Sequence, residues 1–274
     1  MPLIILAVNE YIELNRRHWD EATPLHVASP LYGVAAFKVG TDNLTSIELN
    51  EVGEVRGKTL LHLQCHFGLD TLSWARRGAI VTGVDFARNS IETARGLTAE
   101  LGLDARFIES NVYDLPTQLS EQFDIVFASY GVLCWIPDVR TWAEVAAGYV
   151  QPGGNFYLLD GHPLYSTLWD SQADDLRLRH DYFDVGAIVS SAEGTYATAA
   201  KLENDTIAEF NHTLGDVVTA LIDAGLVIEF LHEFPAAGYR ALEGMVHDDD
   251  GFWRLPAGQP SVPFLFSVKA RKPA

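Results

Sequence analysis

The sequence is short of positive charge and of cysteine. Nineteen lysines and arginines face 37 aspartates and glutamates, a formal net charge of −18 at pH 7. A field of that sign repels nucleic-acid backbones and anionic membrane surfaces, so tRNA, rRNA and DNA are not expected as partners. Acidity of this size otherwise serves to keep a globular protein soluble. Only two cysteines occur, Cys65 and Cys134, each in an apolar segment. Two thiols so far apart make neither a disulfide framework nor a metal-ligand set, and both read as core or pocket thiols in a reducing compartment. No apolar run reaches the roughly 20 residues that span a bilayer. The opening run MPLIILAV has no basic flank and no small-residue cleavage site, so a signal peptide is not expected. These features point to a cytoplasmic protein without a membrane partner. Histidine, cysteine and carboxylates do not cluster at ligand spacing; the run Asp248 to Asp250 reads as a solvated turn, and no metal is expected.

What is present is ordinary globular composition: 274 residues, 48% hydrophobic and 20% charged. That is enough for one large α/β domain or a core domain with an elaborated lid. Residues 1–56 read as an N-terminal helical or lid segment, in which Tyr11 to Trp19 forms a short amphipathic helix before a Pro-containing turn. Residues 57–162 read as the core. Short apolar runs alternate there with helical periodicity. Strands are expected at Thr59 to Cys65, Ile80 to Phe86, Ala105 to Glu109, Phe123 to Ser129 and Asn155 to Asp160. A helix from Leu69 to Arg77 is stopped by Gly78. Asn89 with Glu92 fits a capping box, and Ile91, Ala94, Leu97 and Leu101 share one helical stripe. Asp138 can cap a helix carrying Trp142, Val145, Ala146 and Tyr149 on one face. Residues 163–212 break this rhythm and read as an insertion, a substrate lid or dimer contact, with Thr206 to Phe210 its clearest strand. Residues 213–274 complete the sheet with a helix from Leu214, a strand from Leu226 to Glu233, a lid loop and a last strand from Phe264 to Ala270. Strands alternating with crossover helices imply a doubly wound, mostly parallel sheet.

In such sheets ligands bind beyond the carboxyl ends of the strands, near the point where strand order reverses. Asp85 ends the run IVTGVD, where an ionised carboxylate can take both hydroxyls of a ribose. The turn after the first strand, Gln64 to Thr71, does not supply the G-x-G-x-x-G of a nicotinamide-dependent dehydrogenase.

The run from Leu60 to His162 resembles the class I S-adenosylmethionine-dependent methyltransferases, in the broad methyltransferase-domain family that includes ubiquinone-biosynthesis enzymes. The family's first motif, V-L-D-L-G-C-G-x-G, stands here as Leu60-Leu61-His62-Leu63-Gln64-Cys65-His66-Phe67-Gly68. Its G-D-A-x-D-L-P stands as Ser110-Asn111-Val112-Tyr113-Asp114-Leu115-Pro116. The F-D-x-V motif is Phe123-Asp124-Ile125-Val126, and the L-K-P-G-G turn is Val150-Gln151-Pro152-Gly153-Gly154. His62 takes the place of the first-motif acid, Gln64 and His66 replace two glycines, and Asn111 replaces an aspartate. The resemblance implies a Rossmann-like seven-stranded, mostly parallel sheet with helices on both faces, an N-terminal helical segment and lid insertions. It implies S-adenosylmethionine as cofactor, S-adenosylhomocysteine as product, and contacts from His62, Gln64, His66, Gly68, Asp85, Phe86, Asn111, Val112, Ser129 and Tyr130. Asn111 would meet the adenine amino group and the Val112 N–H an adenine ring nitrogen.

The implied reaction is in-line methyl transfer to a small molecule, in which positioning can supply about 7–11 kcal/mol and a base a further 10²–10⁴-fold. His162, in DGHP after the fifth strand, is the candidate catalytic base, with Asp160 to orient it. Tyr130 and Trp135 can offer aromatic faces to a sulfonium or substrate. His18 and Trp19 can close the substrate pocket from the N-terminal helix, and the insertion with the loop from Tyr239 to Trp253 can cover it. The strand-like insertion could also pair across a homodimer. The competing readings are a cofactor-binding protein without transferase activity, separated from an enzyme by turnover with small acceptors, and a transferase acting on a protein.

Overall fold

The structure is a computed structural model that describes residues 2–169, 171–184, 186–191 and 194–274, with side chains from residue 9 onward. The strands are β1 (Thr59–Leu63), β2 (Ile80–Asp85), β3 (Ala105–Glu109), β4 (Phe123–Ser129), β5 (Val150–Gly161), β6 (Ala187–Ser191), β7 (Thr206–Phe210), β8 (Val227–Phe234), β9 (Val246–His247), β10 (Trp253–Arg254) and β11 (Leu265–Arg271). The helices are α1 (Pro2–Ala28), α2 (Val34–Lys38), α3 (Ser46–Val52), α4 (Leu69–Arg76), α5 (Arg88–Leu101), α6 (Val139–Tyr149), α7 (Leu164–Thr167) and α8 (Leu214–Asp223).

Seven strands form one sheet in the order β3-β2-β1-β4-β5-β11-β8. All neighbours are parallel except β11, which runs antiparallel to both β5 and β8. The expected fold class is therefore the one observed. The chain walks outward from β1 to β3 and then restarts at β4 on β1's other side. The reversal point lies between β1 and β4, and the crevice at their carboxyl ends is where a ligand belongs.

Apolar residues cover both faces of the sheet because β1 and β4 are buried on both sides. One face, with Leu61, Leu63, Val126, Ala128, Phe156 and Leu158, packs beneath Trp142 and Ala146 of α6 and Val217 and Leu221 of α8. The other, with Leu60, Ile125, Phe127, Tyr157 and Leu159, packs under Trp74 of α4 and Val52 of α3. Phe107, Ile91, Ala94 and Leu97 fix α5 beside β3. Asp138 accepts from the N–H groups of Arg140 and Thr141 and so starts α6 as expected.

Three local expectations are corrected. The N-terminal helix does not stop at Trp19 but runs through Pro24 to Ala28. Pro24 has no N–H for the carbonyl of Asp20; that carbonyl accepts instead from Asn89 Nδ2 at 2.8 Å, so the interior proline leaves no orphan. The Asn89–Glu92 capping box does not form. Asp85 takes the Ala87 N–H at 2.9 Å and Asp20 takes the Asn89 N–H at 2.8 Å, so α5 is capped by carboxylates from β2 and α1. Pairing of the fifth strand begins at Val150 rather than Asn155, because Val150 already sits beside Phe123.

Residues 163–212 contribute an antiparallel ribbon of β6 and β7. Asn15 of α1 grips β7 from both sides of one residue, donating to the Ala208 carbonyl at 2.7 Å and accepting its N–H at 2.9 Å. Helix α1 and this ribbon thereby sit together on α5 and the loop after β4. Among the described residues, no helix is long and apolar enough to cross a membrane.

Candidate functional site

The carboxyl end of β1 turns sharply into the loop Gln64 to Gly68. Gln64 and His66 both adopt left-handed backbone, with φ of 55° and 50°, which costs non-glycine residues energy unless the surroundings hold them. Each is held. Gln64 Oε1 accepts from Trp142 Nε1 at 2.9 Å, and its Nε2 donates to the Val132 carbonyl at 3.2 Å. His66 N–H donates to Asp85 at 2.8 Å. Gly68 has φ 81°, and a Cβ there would stand 2.7 Å from the Phe107 ring.

Asp85, 7% exposed, closes β2 with one oxygen on His66 N–H and the other on Ala87 N–H. Burial pushes its carboxyl up to about 6, against the pull of those N–H groups. Beside it, at the end of β3, the Asn111 carbonyl oxygen of the side chain takes Tyr113 N–H at 3.2 Å. Asn111 Nδ2 and the Val112 N–H donate to no described residue. Phe86 follows Asp85 directly and is half-buried.

His62, in the position of the missing acid, is 2% exposed and lies between Thr71 Oγ1 at 2.8 Å and Ser129 Oγ at 3.4 Å. Desolvation drives its pKa down to about 3, so it is a neutral imidazole. Ser129 donates to Asp70 at 3.0 Å. Asp70 also receives Asn43 Nδ2. Tyr130, at φ 48°, places its hydroxyl 3.1 Å from Thr45 Oγ1 and donates to Glu48 at 3.4 Å. Glu48 is fully buried, one of its oxygens has no partner among the described residues, and burial raises its carboxyl to about 8.

Asp160 turns to the backbone of the loop after β4. Its carboxylate accepts the N–H groups of Gly131, Val132, Leu133 and Gly161, and so shapes the loop after β4. His162 Nδ1 accepts Leu164 N–H at 3.0 Å, while its Nε2 stands 2.9 Å from Glu233 of β8. Burial lowers its pKa, with Glu233 opposing. These contacts tie His162 to β8 and α7, and no contact joins it to Asp160's carboxylate or to the β1 loop among the described residues. His18 is anchored by Asn204's carbonyl at 2.8 Å, and burial lowers its pKa.

Trp19, by contrast, is central. Its ring meets those of His66 at 5.0 Å, Trp135 at 5.3 Å, His26 at 5.5 Å and Tyr196 at 6.3 Å, measured between centroids. Tyr32 stacks on His26 at 5.4 Å, and its hydroxyl bonds that of Tyr196. Tyr196, from the insertion, also reaches Tyr239 at 6.0 Å, so both expected covering segments meet here. His26, Tyr32, Thr195 and Tyr196 carried no signal in the sequence: they lie in irregular stretches or beyond the expected end of the first helix. An open groove of about 550 Å³ lies elsewhere, between Pro116, Gln122, Glu144 and Tyr149. It sits at the amino ends of β4 and β5, opposite the ligand side of such a sheet. The Asp248 to Asp250 run is a turn stapled by Arg254, which binds Asp248 at 2.7 Å and Asp250 at 2.6 Å.

Residues 61–158 match the family model of the methyltransferase domain. A ubiquinone biosynthesis O-methyltransferase of Vibrio vulnificus is 27% identical over 164 residues, covering 59% of this chain and 61% of the relative. One from Bordetella avium is 30% identical over 150 residues, covering 54% and 57%. The chain thus spans about three-fifths of the length of the curated relatives it matches. Among solved structures, an S-adenosylmethionine-dependent methyltransferase from Mesorhizobium loti superposes with a TM-score of 0.56 at 19% identity, over 86% of this chain and all of that one. DhpI in complex with S-adenosylhomocysteine gives 0.57 at 17% identity, over 96% and 97%.

Proposed function

We propose that this chain, which matches the methyltransferase-domain family over residues 61–158, is an S-adenosylmethionine-dependent methyltransferase that transfers a methyl group to a small-molecule acceptor. The observation that carries the proposal is a set of unspent polar groups at the carboxyl ends of β2 and β3. Asp85 is a buried carboxylate with lone pairs to spare, and Asn111 Nδ2 and the Val112 N–H have no partner among the described residues. That donor set fits an adenosine: the Asp85 carboxylate for the ribose hydroxyls, Asn111 and Val112 for the adenine edge, and Phe86 beside them. The bound cofactor supplies an electrophilic methyl group on a sulfonium that departs as a neutral thioether.

The chain's own residues bind, orient and exclude water. Gln64 and His66 hold the β1 loop open in its left-handed form, and Gly68 keeps the backbone close to α5. Ser129 and Tyr130 sit at the end of β4, with the carboxyl groups of Asp70 and Glu48 behind them. Trp19, Trp135 and Tyr196 roof the site, so that residues 1–56 and 163–212 act as its cover. Trp19 is the substrate-pocket residue that gathers most support, with His18 behind it. His162 and Asp160 act as positioning groups for α7 and the β4 loop rather than at the reacting atoms. The reading extends to a cytoplasmic enzyme whose acidic surface leaves nucleic acid aside, and to a homodimer paired through β6, whose Ile188 and Val189 are exposed.

Titration calorimetry with S-adenosylmethionine and S-adenosylhomocysteine tests the proposal. Micromolar binding by the wild type that weakens at least tenfold in Asp85→Ala is the expected result. No binding by the wild type overturns it.

A further inference from the structure

The roof of the site leaves aromatic rings open to solvent around one unpaired carboxylate. Tyr196 is 51% exposed and Tyr239 38% exposed, and their ring centroids lie 6.0 Å apart. Trp135 is half-buried and meets Trp19 at 5.3 Å, and Trp19 meets Tyr196 at 6.3 Å. Burial nevertheless raises the hydroxyl pKa of both tyrosines. A side chain that water reaches and that the protein still desolvates lines a cleft. Rings that only packed the cover against the core would be closed on every side.

Glu209 supplies the charge. Side chains alternate along β7, and Phe210 meets Tyr11 of α1 at 5.9 Å, so Glu209 points to the opposite face. Its carboxylate has no hydrogen bond or ion pair among the described residues, and burial alone raises its pKa. β7 also packs on the turn Leu133–Trp135 after β4. The Cys134 thiol in that turn is pushed up first by burial and then by the carboxylates of Glu209 and Asp160. It acts in turn, as a lesser cause beside burial, on the hydroxyls of Tyr196 and Tyr239. Glu209, Tyr196 and Tyr239 thus gather around Cys134, beside Trp135. A partly buried carboxylate without a partner carries a desolvation cost that a bound cation relieves. Aromatic faces attract a cation within about 6 Å of the ring centroid. The net charge of −18 draws cations toward such a cleft and repels anions.

We propose that this cleft is the acceptor subsite, and that the acceptor is a small amine, cationic at neutral pH, held with its ammonium on Glu209 among the rings of Trp135, Tyr196 and Tyr239 and methylated on that nitrogen. This rests on the methyl-transfer reading above. The ammonium gives one proton to the Glu209 carboxylate. The freed nitrogen lone pair bonds the methyl carbon as the carbon–sulfur bond breaks, and the electron pair of that bond stays on sulfur. The nitrogen leaves as a methylated ammonium, and the proton on Glu209 passes to solvent. The same charge disfavours phosphorylated acceptors and those whose only charge is a carboxylate.

Binding is measured first, by tryptophan fluorescence and calorimetry, with and without S-adenosylhomocysteine. The probes are benzyltrimethylammonium, phenethylamine and the uncharged 2-phenylethanol. Both cations should bind at least about tenfold tighter than the alcohol, and Glu209→Gln should remove that preference while leaving the alcohol within about threefold. Tyr196→Leu should weaken benzyltrimethylammonium about fivefold, and Tyr196→Phe, which keeps the ring, should not. Equal affinity for the cations and the alcohol, or cation binding unchanged in Glu209→Gln, overturns the proposal. Transfer to tyramine, which offers an amine and a phenol on one molecule, is then followed by mass spectrometry at saturating cofactor. Methylation on nitrogen is expected, with kcat/KM lowered at least about tenfold in Glu209→Gln. Methylation on the phenol oxygen, or no transfer to the bound amine, overturns the proposal. A wild type that fails to bind cofactor strikes the methyl-transfer reading instead, and the cofactor-free titration still decides the ammonium site.

Discussion

Cofactor affinity should rise between pH 5 and pH 7, because Asp85 must lose a proton before it can take two ribose hydroxyls. Burial lifts its carboxyl from the ordinary 3.8 to about 6, with the N–H groups of Ala87, His66 and Phe86 pulling the other way. At pH 5 roughly ten in eleven free molecules therefore hold that proton, and each unit below 6 should weaken binding about tenfold, or about 1.4 kcal/mol. Calorimetry with S-adenosylhomocysteine at pH 5, 6 and 7, in two buffers of different ionisation enthalpy, reads both the dissociation constant and the protons released. Close to one proton should leave at pH 5 and almost none at pH 7.5. The same group acts on the free protein with the opposite consequence. Its folded pKa lies above its unfolded one, so the folded state binds more protons, and stability falls as pH rises from about 4 to about 6, by up to about 3 kcal/mol. Asp85→Asn should remove that fall, seen as a smaller difference in urea midpoint between pH 4.5 and pH 7 than in the wild type. A dissociation constant that is flat from pH 5 to pH 7 with no proton release would refute the reasoning.

Gly68→Ala should cost about 2–4 kcal/mol in urea unfolding, since φ is 81° and the new methyl would stand 2.7 Å from the Phe107 ring and 3.2 Å from Ala94. Asp160→Asn should cost about 2–5 kcal/mol, because one amide oxygen cannot replace a carboxylate that accepts four N–H groups and each stranded donor costs about 1–3 kcal/mol. Amide exchange at Val132 and Leu133 should quicken in the same variant. His62→Asp restores the acid that the resembled motif carries at this position yet should destabilise the protein by about 3–5 kcal/mol, because it buries an unpaired carboxylate beside Asp70. That loss should shrink at acid pH, where the new carboxyl is protonated, and thermal unfolding at pH 5 and 8 would show it.

The fold was legible because its signals are repeated and local. Each core strand is a short apolar run closed by a turn residue, and Gly78, with φ 91°, ends α4 where expected. The ligand side followed from topology, and Asp85 from its place at the end of β2. The long first helix was not legible: Pro24 reads as a stop, and the group that rescues it, Asn89, lies 65 residues ahead in the chain. The role of Asn89 is hidden for the same reason, since its neighbours Glu92 and Arg88 satisfy each other at 2.8 Å while its N–H is taken by Asp20 of α1. The hydrogen-bonded run Thr23–Ser90–His66–His26–Thr195 was hidden because its members come from α1, the β1 loop, α5 and the insertion. Nothing in the spacing of Thr23, His26, His66, Ser90 and Thr195 announces that they converge. His162 stood out only through its position after β5, and its geometry turned out to serve α7 and β8.

The departures in the first motif make sense together rather than singly. An acid at position 62 would enter a closed space between Thr71, Ser129 and the Phe127 ring, where an imidazole instead sits neutral with a pKa of about 3. Carboxyl groups come instead from outside the motif, from Asp70 at the start of α4 and Glu48 on α3, and both share hydrogen bonds with Ser129 or Tyr130 at the end of β4. Two carboxylates in one buried region already resist ionising together, which is why burial and Asp70 raise Glu48 to about 8. A third at position 62 would be untenable, so the histidine follows from the relocation. Gln64 and His66 follow likewise. Glycines would adopt their left-handed backbone without cost, but they could bond neither Trp142 on α6 nor the His26–Ser90 chain. The strain of two non-glycine residues is offset by contacts that lock the loop to α6, α5 and α1. The loop that relies on glycine for shape in the methyltransferases this chain resembles is here held by side chains.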